Sequence, residues 1–155
     1  MQITVMCKGI TLEFKSQIRL YLNQNDFPYT MRWRFKETHT LEQRKQESTE
    51  MRIKYKDRIP VIIEKLPHSN ITELDKHKFL VPHDLTVSQF QWTIRKRCQF
   101  SASKAIFLFV GRTLPQAWYP IYFVFFALMG EIYQQHMDED GFLYIAYSGE
   151  NTFGN

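Results

Sequence analysis

One run of six apolar residues limits the folds that are open to this chain. Residues 105–110, with the sequence Ala-Ile-Phe-Leu-Phe-Val, carry no polar side chain and lie between Lys104 and Gly111. The run is long enough for a strand that is buried on both faces. We therefore predict a sheet with this strand at its centre and other elements packed over it.

Local signals predict the remaining elements. Thr40 and Thr86 each begin a Thr-x-x-Gln capping box, which marks the start of a helix. The first helix would run to about Tyr55 with few apolar positions, so it should lie on the surface of another element. The second has apolar residues at 87, 90, 94 and 98, as a core helix requires.

Strand signals complete the pattern. Residues 60–64 and 78–82 are predicted to form an antiparallel pair, because both are rich in β-branched or apolar residues and proline closes the second. A short helix at 129–137 should precede the turn Asp140-Gly141 and a last strand at 142–147. The order predicts an α+β, ubiquitin-like β-grasp fold, with one helix across the sheet and an additional N-terminal helix or helices.

Length and charge point to one domain with an uneven charge distribution. The chain has 155 residues, near the usual size of a single domain, and a net charge of +4. Residues 31–65 hold ten basic and six acidic side chains, so they carry the whole excess. The basic residues that we expect to share a surface are Arg32, Arg34, Lys36, Arg44 and Lys45. They are either solvated charges or a contact for an anionic partner, and nucleic acid is the weaker choice.

No catalytic, metal or membrane-spanning pattern is present. The cysteines Cys7 and Cys98 and the five histidines have no metal-ligand spacing, so neither an enzyme nor a metal or cofactor is expected. No secretion signal is apparent, and a reducing, cytoplasmic setting fits. The uncharged run 117–129 would reach about 20 Å as a helix, short of the roughly 30 Å of a hydrocarbon core.

Six short strings share the pattern of one known family. They are Tyr-Lys-Asp-Arg-Ile-Pro-Val-Ile-Ile-Glu-Lys at 55–65, Leu-Asp-Lys at 74–76, Phe-Leu-Val-Pro at 79–82, Asp-Leu-Thr-Val at 84–87, Ile-Arg-Lys-Arg at 94–97 and Leu-Tyr-Ile-Ala-Tyr-Ser at 143–148. The chain resembles the autophagy ubiquitin-like modifiers, in particular the branch of the GABA-receptor-associated protein. The resemblance covers residues 31–116 and 129–155 almost without gaps.

The resemblance implies conjugation rather than catalysis. A cysteine protease trims such a precursor after its terminal glycine, and activating and conjugating enzymes then pass the carboxylate to the amine of phosphatidylethanolamine. The matching residues are Gly154, the attachment point, and Asn155, the residue to be removed. The implied location is cytoplasmic, changing to the autophagosome membrane after lipid attachment.

The resemblance also implies a binding site for cargo receptors with aromatic-x-x-aliphatic peptides, which would add a strand beside residues 78–81. The aromatic pocket would be lined by Glu47, Met51, Pro60, Ile62, Lys78, Leu80 and Phe142. The aliphatic pocket would be lined by Phe79, Val81, Pro82, Leu85, Phe90 and Thr93, where the family usually has leucine at the last position. Arg58 and Arg97 would meet acidic residues that flank the peptide. Ile62 or Phe90 alone would equally fit an ordinary core position. Only the presence of the whole set of matching residues argues for two pockets.

A rival function belongs to another class. The resemblance also implies that the basic surface contacts an anionic membrane or acidic tubulin tails. The basic helix could therefore serve an unconjugated trafficking adaptor that links receptors or vesicles to microtubules and the cytoskeleton. Conjugation through the terminal glycine would separate the two functions.

Two stretches lie outside the resemblance, so we predict a modifier domain at 31–155 with an extension before it and an insert within it. Residues 1–30 are either an isoform-specific arm or translated upstream sequence. Residues 117–128 replace a short polar loop and the threonine that begins the next helix in the family. They are either a membrane-dipping element or retained intron sequence, and an exposed segment of this composition would favour aggregation.

Overall fold

The chain forms a five-stranded mixed sheet with helices on both faces. A computed structural model describes residues 31–67, 69–100, 105–110, 119–120 and 127–149, the pair 119–120 by its backbone. The helices are α1 (Arg34–Thr38), α2 (Leu41–Lys54), α3 (Val87–Arg97) and α4 (Met129–His136). The strands are β1 (Arg58–Lys65), β2 (Lys78–Pro82), β3 (Phe107–Val110), β4 (Tyr119–Pro120) and β5 (Leu143–Ser148).

The strand order across the sheet is β2-β1-β5-β3-β4. The predicted antiparallel pairing of β1 with β2 is confirmed, with Val61 opposite Phe79. Strands β1 and β5 are parallel, whereas β3 is antiparallel to both β5 and β4. This α+β arrangement is the predicted β-grasp class.

The prediction that residues 105–110 form the central strand is wrong. The centre is β5, in which every residue from Leu143 to Ser148 is buried, and β3 lies one position further out. Burial on both faces was correctly expected for β3, where Leu108, Phe109 and Val110 are at most 2% exposed. The composition of a strand indicates how deeply it is buried, but the order of strands depends on which distant segments pair. Here both β3 and β5 are apolar enough to lie at the centre of the sheet.

Side chains alternate between two apolar layers, as the pleat of a strand requires. On one face, Val61 and Leu143 pack with Val87, Phe90 and Ile94 of α3, so the predicted core helix is confirmed. On the other face, Ile62 and Tyr144 pack under the N-terminal helices. We call these the α3 face and the α2 face.

The predicted helix starts are confirmed in atomic detail. The Thr40 hydroxyl accepts from the Gln43 amide at 3.3 Å, and the Gln43 side chain accepts from the Thr40 amide at 2.9 Å. Thr86 and Gln89 repeat this geometry at α3. Helix α2 ends at Lys54, one residue before the expected Tyr55. The five-residue helix α1 carries no comparable signal.

Helix α2 lies on the surface of the sheet as expected, but the side chains that it buries are polar. Arg44 and Ser48 are 8% and 2% exposed, and the Arg44 Nε atom lies 2.8 Å from the Asp140 carboxylate. Lys36 pairs with Asp138 at 2.8 Å. The predicted basic surface is therefore wrong for Lys36 and Arg44, because acidic partners about a hundred positions away take up their charges.

Helix α4 begins without the threonine that the family supplies. Main-chain carbonyls replace it: the Met129 and Gly130 amides donate to Leu85 and His83 at 2.8 Å each. The Glu131 carboxylate accepts from the Leu128 amide at 3.1 Å. The first turn of α4 is thus anchored to the segment between β2 and α3, which satisfies amides that would otherwise need a cap.

Parts of the unmatched stretches lie outside the described residues. These are residues 1–30 and most of the insert, and the matched C-terminal residues Gly154 and Asn155 also lie outside the described part of the chain. From the insert, β4 pairs Tyr119 with Val110 and Pro120 with Phe109. Within the part of the chain that is described, we find no helix of the length and apolarity needed to cross a bilayer.

Candidate peptide-binding site

Strand β2 is the outer strand at one side of the sheet. One edge pairs with β1, and the opposite edge has no paired strand among the described residues. Its alternate main-chain amides and carbonyls can therefore accept a further strand, which is the mode of recognition that the family resemblance implies.

On the α2 face, the predicted aromatic-pocket residues come together. The register sets Leu80 beside Pro60 and Lys78 beside Ile62, and paired residues share a face. Half-buried Met51 of α2 packs on the cluster that contains Ile62 and Phe142. The seven residues placed here are Glu47, Met51, Pro60, Ile62, Lys78, Leu80 and Phe142.

These residues divide into a floor and a rim. Ile62 and Phe142 are 1% and 0% exposed, so they support the site from below. Lys78 and Leu80 are half-buried, and the Lys78 ammonium forms an ion pair with the Glu47 carboxylate. The rim thus offers a charged pair above an apolar floor, which suits an aromatic ring that carries a polar atom.

Sequence analysis missed Phe35 as a member of this site. Its ring lies 5.0 Å from the Lys78 ammonium and packs edge-on against Phe142 at 5.2 Å. An apolar residue at position 35, two after Trp33 within an otherwise charged stretch, was the available signal.

On the α3 face, the predicted aliphatic-pocket residues belong largely to the core. Phe79, Val81 and Phe90 are at most 8% exposed, and the two phenylalanine rings meet edge-to-face at 6.4 Å. Leu85 is partly buried at the margin of this cluster. The Thr93 hydroxyl donates to the Gln89 carbonyl at 3.0 Å within its own helix.

Cationic side chains lie toward both ends of β2. The Arg97 guanidinium is 5.2 Å from the centre of the Phe79 ring, near the start of the strand. Exposed Arg58 is in register with Pro82 at the other end. The predicted pair of arginines can therefore contact acidic residues on either side of a bound peptide.

Strand β5 ends at the opposite end of β1 from Arg58. Strand β5 is parallel to β1, and Tyr147 near its end is in register with Lys65. Gly154 and Asn155 lie beyond this point, outside the described residues. Within the described ranges, no cluster of His, Cys, Asp or Glu has the arrangement of a metal site.

Comparisons with known proteins agree with this architecture. A family model described as "Autophagy protein Atg8 ubiquitin like" matches residues 43–154. Autophagy-related protein 8 of Coccidioides immitis is 55% identical over 125 residues, which are 81% of this chain and 100% of that protein. The same protein of Neurospora crassa is 55% identical over 81% of this chain and 97% of its own length. The crystal structure of Trypanosoma brucei ATG8 superposes with a TM-score of 0.66 at 44% identity, covering 80% of this chain and 100% of that one.

Proposed function

The chain belongs to the Atg8 family of autophagy proteins, and from that premise we propose that it works as a lipid-anchored docking protein. Membership makes it a ubiquitin-like modifier of autophagy and not an enzyme. The proposal adds two residue-level parts, conjugation through Gly154 and peptide capture along β2. The single observation that carries the second part is the edge of β2 that no described strand pairs with, next to an apolar floor.

The first part is that a cysteine protease removes Asn155 and that Gly154 is then joined to phosphatidylethanolamine. The family match extends to residue 154, which supports this assignment. A residue without a side chain suits a tail that must thread narrow enzyme active sites, because its backbone adopts conformations closed to other residues.

We predict that Gly154→Ala abolishes conjugation while Asn155→Ala preserves it. The measurement is intact mass after incubation with the family's protease, activating and conjugating enzymes, and vesicles that contain phosphatidylethanolamine. Asn155→Ala is the matched control, since it changes the neighbouring residue but leaves the glycine. Lipid attachment of Gly154→Ala at the wild-type level would exclude Gly154 as the attachment point.

The second part is that cargo receptors bind along β2 through an aromatic-x-x-aliphatic peptide. The aromatic anchor would lie on the α2 face near Lys78 and Leu80, and the aliphatic anchor near Leu85 and Thr93. Most residues of the aliphatic pocket on the α3 face are buried, so the aliphatic anchor must enter at the margin of this cluster, where Leu85 is only partly buried.

We predict that Leu80→Ala weakens binding of a Trp-x-x-Leu peptide with acidic flanks by about tenfold, because a leucine contact contributes roughly 1.5 kcal/mol. Isothermal titration calorimetry measures the affinity. Leu41→Ala, at the start of α2, is the matched control and should bind normally. Unchanged affinity of Leu80→Ala would remove this residue from the site.

The proposed partners are cargo receptors, the processing protease, the activating and conjugating enzymes, and a phosphatidylethanolamine membrane of the autophagosome. The unconjugated adaptor is not favoured by the family match. Pairing of Lys36 and Arg44 with buried acids also removes two charges from the surface that acidic tubulin tails would contact.

A further inference from the structure

A cavity lies at the end of the sheet where β1 begins, apart from the aromatic pocket. Its volume is about 950 Å³, and it is bordered by the last turns of α2, the start of β1 and helix α4. That volume is near the upper end of the range for ligand sites in proteins. It can accommodate large side chains together with part of their backbone.

Apolar side chains are exposed around this cavity. Ile53 of α2 is 68% exposed, and Leu128, just before α4, is 37% exposed. The buried Ile59 and Tyr133 also contribute to the lining. Exposed apolar side chains within one concave site, rather than scattered singly, are typical of a binding surface.

Cationic side chains surround the apolar part. Arg52, Lys56 and Arg58 line the cavity and are exposed, and no ion pair engages any of them within the described ranges. Two acidic residues, Glu131 and Asp84, also line the cavity, and each has a contact within the chain. Glu131 accepts from the Leu128 amide, and Asp84 lies 3.9 Å from the His83 imidazole. The Arg52 guanidinium also lies 5.9 Å from the centre of the Tyr133 ring. With three cationic and two acidic side chains, the lining presents a small excess of positive charge to an incoming group.

The lining itself indicates the kind of occupant. Apolar and cationic side chains border the cavity together, so a segment that carries one apolar side chain next to acidic residues complements both. The cavity lies at Arg58, at the opposite end of β1 from Lys65, with which Tyr147 near the end of β5 is in register.

We infer that this cavity is a second peptide-docking site, which binds an acidic segment of a partner protein through one large aliphatic or aromatic side chain. The apolar anchor would cover Ile53 and Leu128, and flanking carboxylates would pair with Lys56 and Arg52, since Arg58 is assigned to the peptide along β2. Because the cavity lies at the opposite end of β1 from the last residues of β5, a chain anchored by its C-terminus would keep this site free. It would then bind two segments at once, one along β2 and one here.

The test is selection of random twelve-residue peptides by phage display on the full chain, with a Trp-x-x-Leu peptide at saturation to block β2. The expected peptides have Asp or Glu around a Leu, Ile or Phe. Fluorescein-labelled copies should bind Lys56→Glu about tenfold more weakly and Ile53→Ser about fivefold more weakly, as for loss of one charge pair or one apolar contact.

Three controls separate this site from the others. Lys45→Glu makes the same charge change on exposed α2 outside the cavity and should alter affinity less than about twofold. Leu80→Ala should leave it unchanged, since β2 is not used. Gly154→Ala should also leave it unchanged, so failure of conjugation and failure of this inference remain distinct results.

Several outcomes would overturn the inference. They are enrichment only of neutral or basic peptides, binding that does not depend on Ile53 and Lys56, and recovery of no peptide. Sedimentation that shows self-association abolished by Ile53→Ser would instead identify a second copy of the chain as the occupant. Both variant positions are exposed, so thermal melting should show wild-type folding.

Discussion

A single residue, Asp140, joins helix α2 to the turn before β5. Its side chain is fully buried and accepts from the Arg44 guanidinium at 2.8 Å, the Tyr144 hydroxyl at 2.6 Å and the Phe142 amide at 3.0 Å. Burial, and next the hydrogen bond to Asp140, raise the pKa of Tyr144 far above its ordinary value. This carboxylate thus ties α2 to the turn before β5.

We predict that Asp140→Asn lowers the free energy of unfolding by about 3–5 kcal/mol, because it leaves the nearly buried Arg44 charge without its counter-ion. Urea unfolding at neutral pH measures the change. The control is Asp84→Asn, whose side chain is 78% exposed and which should shift stability by no more than about 0.5 kcal/mol. Equal effects of the two substitutions would contradict the role assigned to Asp140.

Among the secondary-structure elements, the two helices α3 and α4 satisfy their first main-chain amides in different ways. Helix α3 satisfies its first amides with its own side chains, Thr86 and Gln89. Helix α4 relies on the carbonyls of His83 and Leu85, which belong to another part of the chain. Because α3 follows those carbonyls directly, the start of α4 depends on the placement of the segment that leads into α3.

We predict that Thr86→Ala destabilises the protein by about 1 kcal/mol through loss of the helix cap. Thr93→Ala is the matched control in the same helix. Its hydroxyl donates to the Gln89 carbonyl inside α3, where alanine is the better helix former, so stability should stay constant or rise by a few tenths of a kcal/mol. Thermal unfolding followed by circular dichroism distinguishes the two, and similar losses would argue against capping as the cause.

Weak acids inside the core connect the stability of the whole molecule to pH. Burial, with a smaller contribution from Asp75, raises the pKa of Cys98 to about 11. Burial also raises the pKa of Tyr147 to about 12, although its hydroxyl accepts from the Leu74 amide at 2.8 Å. Both groups therefore hold their protons in the folded state at pH values where the unfolded chain has lost them.

We predict that stability falls at alkaline pH. The unfolded Cys98 and Tyr147 lose their protons near pH 9 and 10, so their contributions are full below these values. They are lost as pH rises to about 11 and 12, at up to about 1.4 kcal/mol per pH unit for each group. Urea midpoints measured from pH 7.5 to 11 give the curve.

Cys98→Ala provides the comparison for this curve. It should be less stable at neutral pH because it leaves a small cavity, yet its stability should fall less steeply between pH 9 and 10. A curve that stays flat to pH 10.5, or identical slopes for the two proteins, would show that these buried groups do not control alkaline stability.

The candidate site was only partly accessible to sequence reasoning. The alternation along β2 and the matched strings placed Lys78 and Leu80 on one face and Phe79 and Val81 on the other. The sequence could not show that Phe79 and Phe90 are closed into the core, since exposure depends on what α3 covers. Phe35 was missed because its neighbours in space are Lys78 of β2 and Phe142 just before β5, both distant in the sequence.

The sequence by itself determined the features that act over a few residues. These are the two capping boxes, the glycine turn at Gly141 with its φ of +86°, and the adjacent pairing of β1 with β2. Only the tertiary structure decided that β5 is central and that Arg44 pairs with Asp140 across 96 positions. Local signals depend on neighbouring atoms that are always near, whereas strand order and buried ion pairs depend on which distant segments the folded core brings together.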